Sequence, residues 1–557
     1  MTLADELNDD VAAAFGWDTL RPDQLDAITA LIEGHDVLAV MRTGSGKSAL
    51  YQIPALKLDG IVVVISPLIA LQHDQMTALE QTGAPAAVTL NSRRTARQMR
   101  QDWTALERGH AGFVYLGPEQ LTKPDVLERL AALTISLIAV DEAHCIAAWG
   151  HDFRPDYLRI PDAVHRLGRP PVVALTATAS PVIRDEITQR LRLDHPHIVV
   201  GGFDRPNIEL GVRHLVDSEA KRRAVVDTVR QLDGPGLVYC ATRGDAEFYA
   251  AQLAEHQVPA QAYHAGLRSA QRDDVHRRFH DDETTVVAAT SAFGMGIDKP
   301  NVRFVVHASA PDSIDSYYQQ IGRAGRDDAP AQAILFYRPE DLALGTLFAT
   351  TRPDEDLVRN IMARLSADQP LRLKDLRAQT GVRGRALTRT VNLLEQAGVV
   401  TVDRRGIRSS GCGPDEAVQR ATEAAATAER VDLTRVDMLR AYAETHRCRR
   451  QHLLAYFGDH LDGPCGNCDR CDAGATADSD PAIAVQTVVQ HRQWGRGQVL
   501  DGDDERITVL FDDYGYRTLL MDAVREHNLL TPVDSAPASG VTDRGAHAQD
   551  DSSAVSP

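Results

Sequence analysis

Two clusters of residues in this chain have the types and spacing for chemistry on phosphate. The first is TGSGKS at 43–48, set between the strand-like DVLAVMR and the helix-like ALYQIPALK. In such a loop Gly44 and Gly46 let backbone amides turn inward around phosphate, with Thr43 and Ser45 completing the cradle. Lys47 reaches the terminal phosphates and Ser48 ligates magnesium. Glycine-rich loops are common, but Gly-Lys-Ser in this setting leaves little room for an ordinary strand-to-helix turn. The second cluster is Asp141–Glu142, at the end of the apolar run LTISLIAV. An acidic pair at a strand end is often only a solvated turn. Beside a phosphate loop, Asp141 becomes the holder of Mg2+, directly or through water, and Glu142 the activator of the attacking water. The chemistry expected is hydrolysis of ATP with Mg2+.

The stretch DEAHCIAAWGHDFRP, 141–155, runs on from that pair into Trp149, Phe153, two histidines and Arg154. Trp149 and Phe153 are four apart and share a face if helical, and each offers a stacking platform worth roughly 1–3 kcal/mol per base. Two core aromatics after a strand are the plain alternative. Gly150, His151, Asp152 and Arg154 weigh against it, since so polar a stretch is costly to bury without partners. His144 is read as a link between hydrolysis and nucleic acid rather than a metal ligand, with a structural histidine as the alternative. Upstream, in LRPDQLDAI, Gln24 offers an amide that can donate to and accept from an adenine edge, and Arg21, Phe15 and Trp17 could pack around the base. A buried amide at a helix cap is the plainer reading. In YYQQIGRAGRDD, 317–328, Arg323 and Arg326 are three apart and neighbours on one turn of helix. Supplied from a facing domain, Arg326 would offset charge on the terminal phosphate, with Arg323 nearby.

A third constellation is Cys448, Cys465, Cys468 and Cys471, a Cys-x2-Cys-x2-Cys run closed by a distant fourth thiolate. That spacing suits a tetrahedral Zn2+ with no open position, hence a structural metal that contributes folding energy. An iron–sulfur cluster and reactive thiols are the rivals. Cys145, Cys240 and Cys412 fall outside the spacing and are read as ordinary small buried or loop residues.

The elements that must position these groups are legible as rhythm. Short apolar runs alternate with amphipathic segments from about 35 to 195 and again from about 235 to 340, the pattern of two parallel-sheet α/β domains. Strands are expected near 36–41, 61–65, 111–116, 136–140 and 171–175, then near 236–240, 259–262, 285–289 and 303–307. GGFDRPNIEL, 201–210, is read as the passage between them. The chain has 557 residues, room for three or four domains. An odd count of seven cysteines argues against a disulfide framework. The longest apolar runs are of strand length, and no signal peptide or membrane span is indicated, so a cytosolic protein of bacterial type is expected. The net charge of −18 counts against a simple polyanion-coating protein. The reversal from Arg364 to Arg408, with ten basic residues against four acidic, still allows a basic track.

Laid out together, LRPDQ, TGSGKS, SPLIALQHDQ, YLGPEQL, DEAHCIAAWGHDFRPDY, ALTATA, YCATR, YHAGL, ATSAFGMGIDKPNVRFVVH and QQIGRAGRD resemble the RecQ family of superfamily 2 DNA helicases. The resemblance covers about 15–345 and resumes at about 435–475, where HRCRRQHLLAYFGD and CGNCDRC are similar to the family's zinc platform. It implies two RecA-like lobes and 3' to 5' translocation on one DNA strand. It also implies that Trp149, Phe153 and Arg154 sense single-stranded DNA, that Gly296 and Asp298 face nucleotide and DNA, and that Gln319, Arg323 and Arg326 form the final motif. Ser66, Arg243 and Thr290, near strand ends, are plausible contacts to the phosphodiester backbone, with little sequence preference expected. Single-stranded DNA and tailed or forked duplexes are the implied partners, with DNA-repair proteins beyond them and no membrane. The oligomeric state is not implied.

Downstream the chain departs from the usual family order. Residues 356–410 suggest a winged-helix pattern placed before the zinc module rather than after it, so the family's duplex-opening hairpin is not transferable. Its third helix, about Gly384 to Ala397, would turn Leu387, Val391 and Leu394 inward and Arg385, Arg389 and Asn392 outward. The turn TVDRRGIRS would place Arg404, Arg405 and Arg408 on phosphates. A helical brace for the second lobe is the alternative. Residues 492–530 suggest a small SH3-like β domain in place of the family's helical C-terminal module, with Trp494, Phe511, Tyr514 and Tyr516 as core or partly a binding surface. The expected division is 1–200 and 201–345 for the lobes, 346–411 winged-helix-like, 412–475 zinc module, 476–483 linker, 484–531 β domain and 532–557 disordered tail. The function expected is an ATP-dependent helicase of DNA repair or recombination. A translocase that remodels protein–DNA complexes without useful strand separation, an RNA helicase and a nonhydrolytic zinc scaffold are the other readings.

Overall fold

A computed structural model describes residues 3–17, 19–67, 69–91, 94–147, 154–293, 299–342, 353–382, 386–403, 405–474, 483–485, 487–502, 505–511 and 514–533. Its first sheet has seven strands: β1 (Val37–Val40), β2 (Ile61–Ile65), β3 (Ala87–Leu90), β4 (Phe113–Leu116), β5 (Ile135–Val140), β6 (Val172–Thr176) and β7 (His197–Val200). They lie in the order β3-β4-β2-β5-β6-β1-β7, all pairings parallel. Every residue of β1, β2, β4 and β6 is buried, which is why these strands read as unbroken apolar runs: helices cover both faces of the sheet. The five expected strands are present. β3 and β7 were not anticipated from pattern. β7 is an edge strand whose Ile198 and Val200 stay exposed, so it carries little signal of burial.

The second sheet comprises β8 (Ile208–His214), β9 (Gly236–Tyr239), β10 (Ala260–Tyr263), β11 (Val286–Ala289), β12 (Phe304–His307) and β13 (Ala331–Tyr337), ordered β10-β11-β9-β12-β13-β8 and again parallel. The two sheets are the cores of two RecA-like lobes. β8 corrects the reading of 201–210 as a mere passage, since its last three residues already belong to the sheet. Gly236 is required where it stands, because a Cβ there would meet the Phe304 ring at 2.1 Å.

After the second lobe come helices Glu355–Met362, Leu373–Thr380 and Ala386–Gln396, then an antiparallel hairpin of β14 (Val400–Asp403) and β15 (Gly406–Ser409), with Leu371 bridging to Ile407. Leu387, Val391 and Leu394 are buried on the third helix, as their spacing predicts, and join a core with Leu357, Ile361 and Ile407. Arg389 is exposed, but Asn392 is not turned to solvent as expected. With Glu395 it lines a cavity of about 650 Å³ against Asp156, Arg159 and Asp162 of the first lobe. Arg159 Nη2 pairs with Glu395 Oε1 at 2.6 Å, and Arg159 also donates to the Val402 carbonyl. Arg385 and Arg404 lie outside the described residues.

Pro414–Glu444, a helix of 31 residues, leads to the cysteine module. There Arg449 is wholly buried, its fork donating to Asp469 at 2.5 and 3.0 Å and to the carbonyls of Tyr442 and Ala443. A buried cation is tolerated because every face of the guanidinium has a partner. The chain forms two compact units, residues 1–478 with 514–516, and 479–513 with 517–557. In the second, β16 (Val488–His491), β17 (Gly495–Gly502), β18 (Arg506–Phe511), β19 (Gly515–Leu520) and β20 (Leu530–Pro532) form one sheet ordered β19-β18-β17-β16-β20. Phe511 is buried there, and Trp494 stacks on His491 at 4.2 Å. Most of the expected linker and nearly all of the expected tail fall outside the described residues. Among the described residues no helix is long and apolar enough to cross a membrane.

His307, at the end of β12, is fully buried between Tyr239 and Tyr317, with Nε2 on Gln320 Oε1 at 2.8 Å. Burial pushes its pKa from the ordinary 6.5 down to about 4. Between those values the unfolded chain binds a proton that the folded chain refuses, so this contribution is whole above the unfolded pKa and is lost as pH falls. Denaturation midpoints measured from about pH 7.5 to about 4.5 are expected to fall below pH ~6.5, and to fall less steeply in His307→Gln. Equal slopes in both proteins would assign the acid sensitivity to other groups.

Candidate functional site

The phosphate loop leaves β1 and enters the short helix Ala49–Gln52. Gly44 and Gly46 hold positive φ of 82° and 78°, which only glycine adopts without strain. Lys47 folds back, Nζ donating to the carbonyls of Met41 at 3.0 Å and Arg42 at 3.4 Å. Burial lowers its pKa, while the nearby Glu142 and Asp141 raise it and Arg326 lowers it further. Ser48 lies near the buried Tyr51 hydroxyl and works against the rise that burial gives its pKa. Gln24 lies over the loop, Nε2 donating to the carbonyls of Ser45 at 3.1 Å and Gly46 at 3.2 Å, while Oε1 accepts from the Arg21 amide at 3.0 Å. Its amide thus caps the helix Pro22–Ile32 and grips the loop. Arg21 Nη1 reaches the Ser45 carbonyl at 3.5 Å, and Phe15 stacks on Trp17 at 4.8 Å.

Asp141 follows directly after β5, so the carboxyl ends of neighbouring parallel strands bring it beside the loop. Its carboxyl pKa is raised by burial, against the opposing pull of Lys47, the Glu142 amide and the Ser66 hydroxyl. Glu142 adopts a left-handed backbone, φ 49°, an uncommon conformation for a residue with a Cβ and one concentrated at functional sites. His144, 1% exposed, lies between Glu142 Oε2 at 3.4 Å and Thr176 Oγ1 at 2.9 Å. Thr176 Oγ1 is itself fixed by the Thr178 amide, from which it accepts at 3.1 Å, with the Thr178 carbonyl 3.2 Å away. His144 is therefore an internal connector from Glu142 to the end of β6, not a group on a nucleic-acid surface.

Ser66 requires a correction. It is wholly buried and donates to Asp141 Oδ2 at 3.2 Å, so it cannot reach a phosphodiester backbone. Arg243 is exposed at the start of its helix, Arg389 is exposed, and Thr290 and Gln319 are half-buried. Arg154 is half-buried, its amide donating to the Cys145 carbonyl at 2.8 Å. Trp149, Phe153, Gly296 and Asp298 lie outside the described residues. Tyr157, just beyond the aromatic-rich stretch, donates to the Asp141 carbonyl at 2.9 Å and was not singled out by sequence; a tyrosine inside a proline-flanked turn gives no pattern to find it by.

The facing lobe closes the site. A Cβ placed on Gly44 would meet Arg326 Cγ at 3.6 Å, and one on Gly322 would meet Thr43 Cβ at 3.8 Å. Arg326 thus lies on the phosphate loop. Arg323, 4% exposed, instead lies near the buried Tyr239 hydroxyl, where its charge works against the upward push of burial on that group. Both arginines lie past the end of the helix Ile314–Ile321, and both act electrostatically on Tyr239.

The cysteine module gathers Cys448, Cys465, Cys468 and Cys471 with all four sulfurs within 4.8 Å of one another. Cys468 and Cys471 are 3.4 Å apart, Cys465 and Cys471 3.9 Å. Thiolates ~2.3 Å from one tetrahedral ion stand about 3.8 Å apart, so the cluster has the size a zinc ion needs. Cys145 and Cys240 are buried elsewhere.

The chain matches the family descriptions DEAD/DEAH box helicase over residues 21–185, helicase conserved C-terminal domain over 220–328 and RecQ zinc-binding over 404–472. It is 37% identical over 460 residues to the ATP-dependent DNA helicase RecQ of Pasteurella multocida, covering 82% of this chain and 61% of that protein. It is 36% identical to the probable ATP-dependent DNA helicase RecS of Bacillus subtilis, covering 82% of this chain and 89% of that protein. Thus the chain spans about three fifths of the Pasteurella relative and most of the Bacillus one. In fold it is similar to a DUF1998 helicase, MrfA, bound to DNA, with a TM-score of 0.52 at 16% identity over 75% of this chain and 64% of that one. With the three descriptions met in order and nine tenths of the Bacillus relative covered, the chain belongs to the RecQ family of superfamily 2 helicases.

Proposed function

We propose that this chain is an ATP-dependent DNA helicase that translocates 3' to 5' on single-stranded DNA and opens tailed or forked duplexes in DNA repair or recombination. The single observation that carries the reading is the seating of Arg326 on Gly44, in a cleft that also gathers Lys47, Asp141 and Glu142. Thr43 to Ser48 would cradle the phosphates of ATP, and Ser48 and Asp141 would hold Mg2+, which neutralises charge on the transferring group. Glu142 would take the proton of the attacking water, and His144 would keep its carboxylate in place. Arg326 would offset charge as the phosphoryl group leaves, while Gln24 and Arg21 exchange their loop contacts for the base. Trp149, Phe153 and Arg154 would report bound single strand, with Arg243, Thr290, Gln319 and Asp298 along the strand or at the lobe interface. We assign Zn2+ to the four cysteines as a structural ion.

The residue 355–409 region is read as a winged helix, and the C-terminal sheet as an SH3-like barrel; three helices closed by a hairpin, and a single five-stranded sheet, support these assignments. Its third helix faces the first lobe through Arg159 and Glu395, and this favours a second reading, a brace with no duplex-opening role. In that case the enzyme translocates and remodels protein–DNA complexes with poor strand separation.

Matched 3'-tailed, 5'-tailed, forked and blunt duplexes with ATP test the main reading: unwinding is expected only where a 3' single strand is present. Unwinding confined to 5' tails would reverse the polarity, and translocation without strand release would select the second reading. Glu142→Gln is expected to lower DNA-stimulated ATP hydrolysis by about 10²- to 10⁴-fold while nucleotide binding survives, and Lys47→Ala to lose both. Full hydrolysis in either variant would reject the mechanism. Cys468→Ser is expected to release the metal, lower the thermal midpoint and weaken DNA binding, as measured by metal content, calorimetry and fluorescence anisotropy. A variant that kept its stability without metal would make the ion dispensable.

A further inference from the structure

The stretch Phe203–Ile208 does more than join the lobes. Arg205 is 8% exposed, and its guanidinium is spent on backbone: Nη1 donates to the Gly322 carbonyl at 3.4 Å, and Nη2 to the carbonyls of Ala324 and Gly325, both at 2.8 Å. Asn207 adds bonds to Gly325 at 2.8 Å and Ala329 at 3.0 Å. These carbonyls belong to the turn that carries Arg326, and Gly325 takes the left-handed φ of 56° that the turn needs. Only an arginine offers enough donors in one fork to hold three such carbonyls at once. A turn held by its carbonyls on one side must present its side chains on the other, where Arg326 meets Gly44.

The same stretch is gripped from behind by the cysteine module. Arg450, two residues after Cys448, donates to Asp204 Oδ1 at 3.0 Å and to the Ile208 carbonyl at 2.5 Å. Asn467, between two cysteines, donates to the Pro206 carbonyl at 2.8 Å.

We propose that Arg205 is a positioning residue for ATP hydrolysis, aiming Arg326 at the phosphate loop, and that the zinc module sets that aim by holding the residues on either side of it. This rests on the ATP hydrolysis proposed above. The zinc module then governs catalytic rate as well as any contact it makes with DNA.

The test uses the full chain as wild type, Arg205→Gln, Arg205→Lys, Asn207→Ala and Arg450→Gln, with metal content and thermal midpoint recorded for each. A misplacement of about 1 Å costs about 100-fold, so Arg205→Gln is expected to lower the kcat of DNA-stimulated hydrolysis by that order, with ADP affinity changed by less than about threefold. It should also lose the preference for ADP–aluminium fluoride over ADP, and Arg205→Lys should recover part of both. Arg450→Gln and Asn207→Ala are expected to move kcat in the same direction, less far, with the metal retained. A folded Arg205→Gln with wild-type kcat overturns the proposal, as does a loss of activity that merely tracks unfolding. If Arg205→Gln does not fold, unchanged kcat in folded Asn207→Ala and Arg450→Gln overturns it. A wild type that hydrolyses no ATP with any single strand sinks the proposed function itself, whereas an active wild type with an indifferent Arg205→Gln sinks only this inference.

Discussion

The close approach of Arg326 to Gly44 is the contact on which the rest of the arrangement depends. Two lobes with separate cores meet where a phosphate loop has no side chain at two positions and the opposite lobe delivers a cation. Any Cβ at Gly44 would be strained by its φ of 82°, although it would meet Arg326 only at van der Waals distance, 3.6 Å. The loop's glycines therefore supply the left-handed turns that open amides to phosphate, and Gly46 also leaves room for the Gln24 amide, which a Cβ would meet at 2.8 Å. Lys47 and Arg326 bring two cations into one cleft, and the buried Asp141 and half-buried Glu142 oppose them. Such a balance suits a site whose charge changes as a phosphoryl group passes through it.

Strain and burial then link the acid pair to the rest of the first lobe. Glu142 sits in a left-handed conformation two residues after a strand whose last residues are wholly buried, so the chain turns sharply there. His144 and Thr176 carry the connection on to the end of β6, and Tyr157 ties the segment beyond the aromatic-rich stretch back to the Asp141 carbonyl. His144 and Tyr157, in the described residues on either side of the aromatic-rich stretch, thus both touch the acid pair. The zinc module has a comparable place on the other side of the cleft, held to the passage between the lobes by Arg450, Asn467 and the stack of Phe203 on Phe457 at 4.7 Å.

The segment of three helices and a hairpin after the second lobe shows how a local pattern can be right about a core and wrong about a surface. The 3.6-residue period placed Leu387, Val391 and Leu394 inside, where they are. The same period placed Asn392 outward, which reads as solvent in an isolated helix but faces the first lobe here. Periodicity reports that a face is polar, not what stands opposite it. Ser66 was misjudged for the related reason that a serine at a strand end reads the same whether it meets DNA or a buried carboxylate.

What the sequence alone determined is the chemistry carried in short contiguous stretches. A glycine loop with its lysine, an acidic pair after an apolar run and four cysteines at metal spacing depend on local backbone geometry, and local geometry is written in neighbouring residues. Nine of the thirteen lobe strands were legible as short runs in the sequence; β3, β7, β8 and β13 needed the sheet. Only the tertiary structure decided which residues meet across the cleft. Arg326 lies on the loop while Arg323 turns to Tyr239, His144 points inward, and Arg205 spends its charge on three carbonyls more than a hundred residues away. Those choices follow from where two independently folded cores place their strand ends, and no spacing within one stretch records that distance.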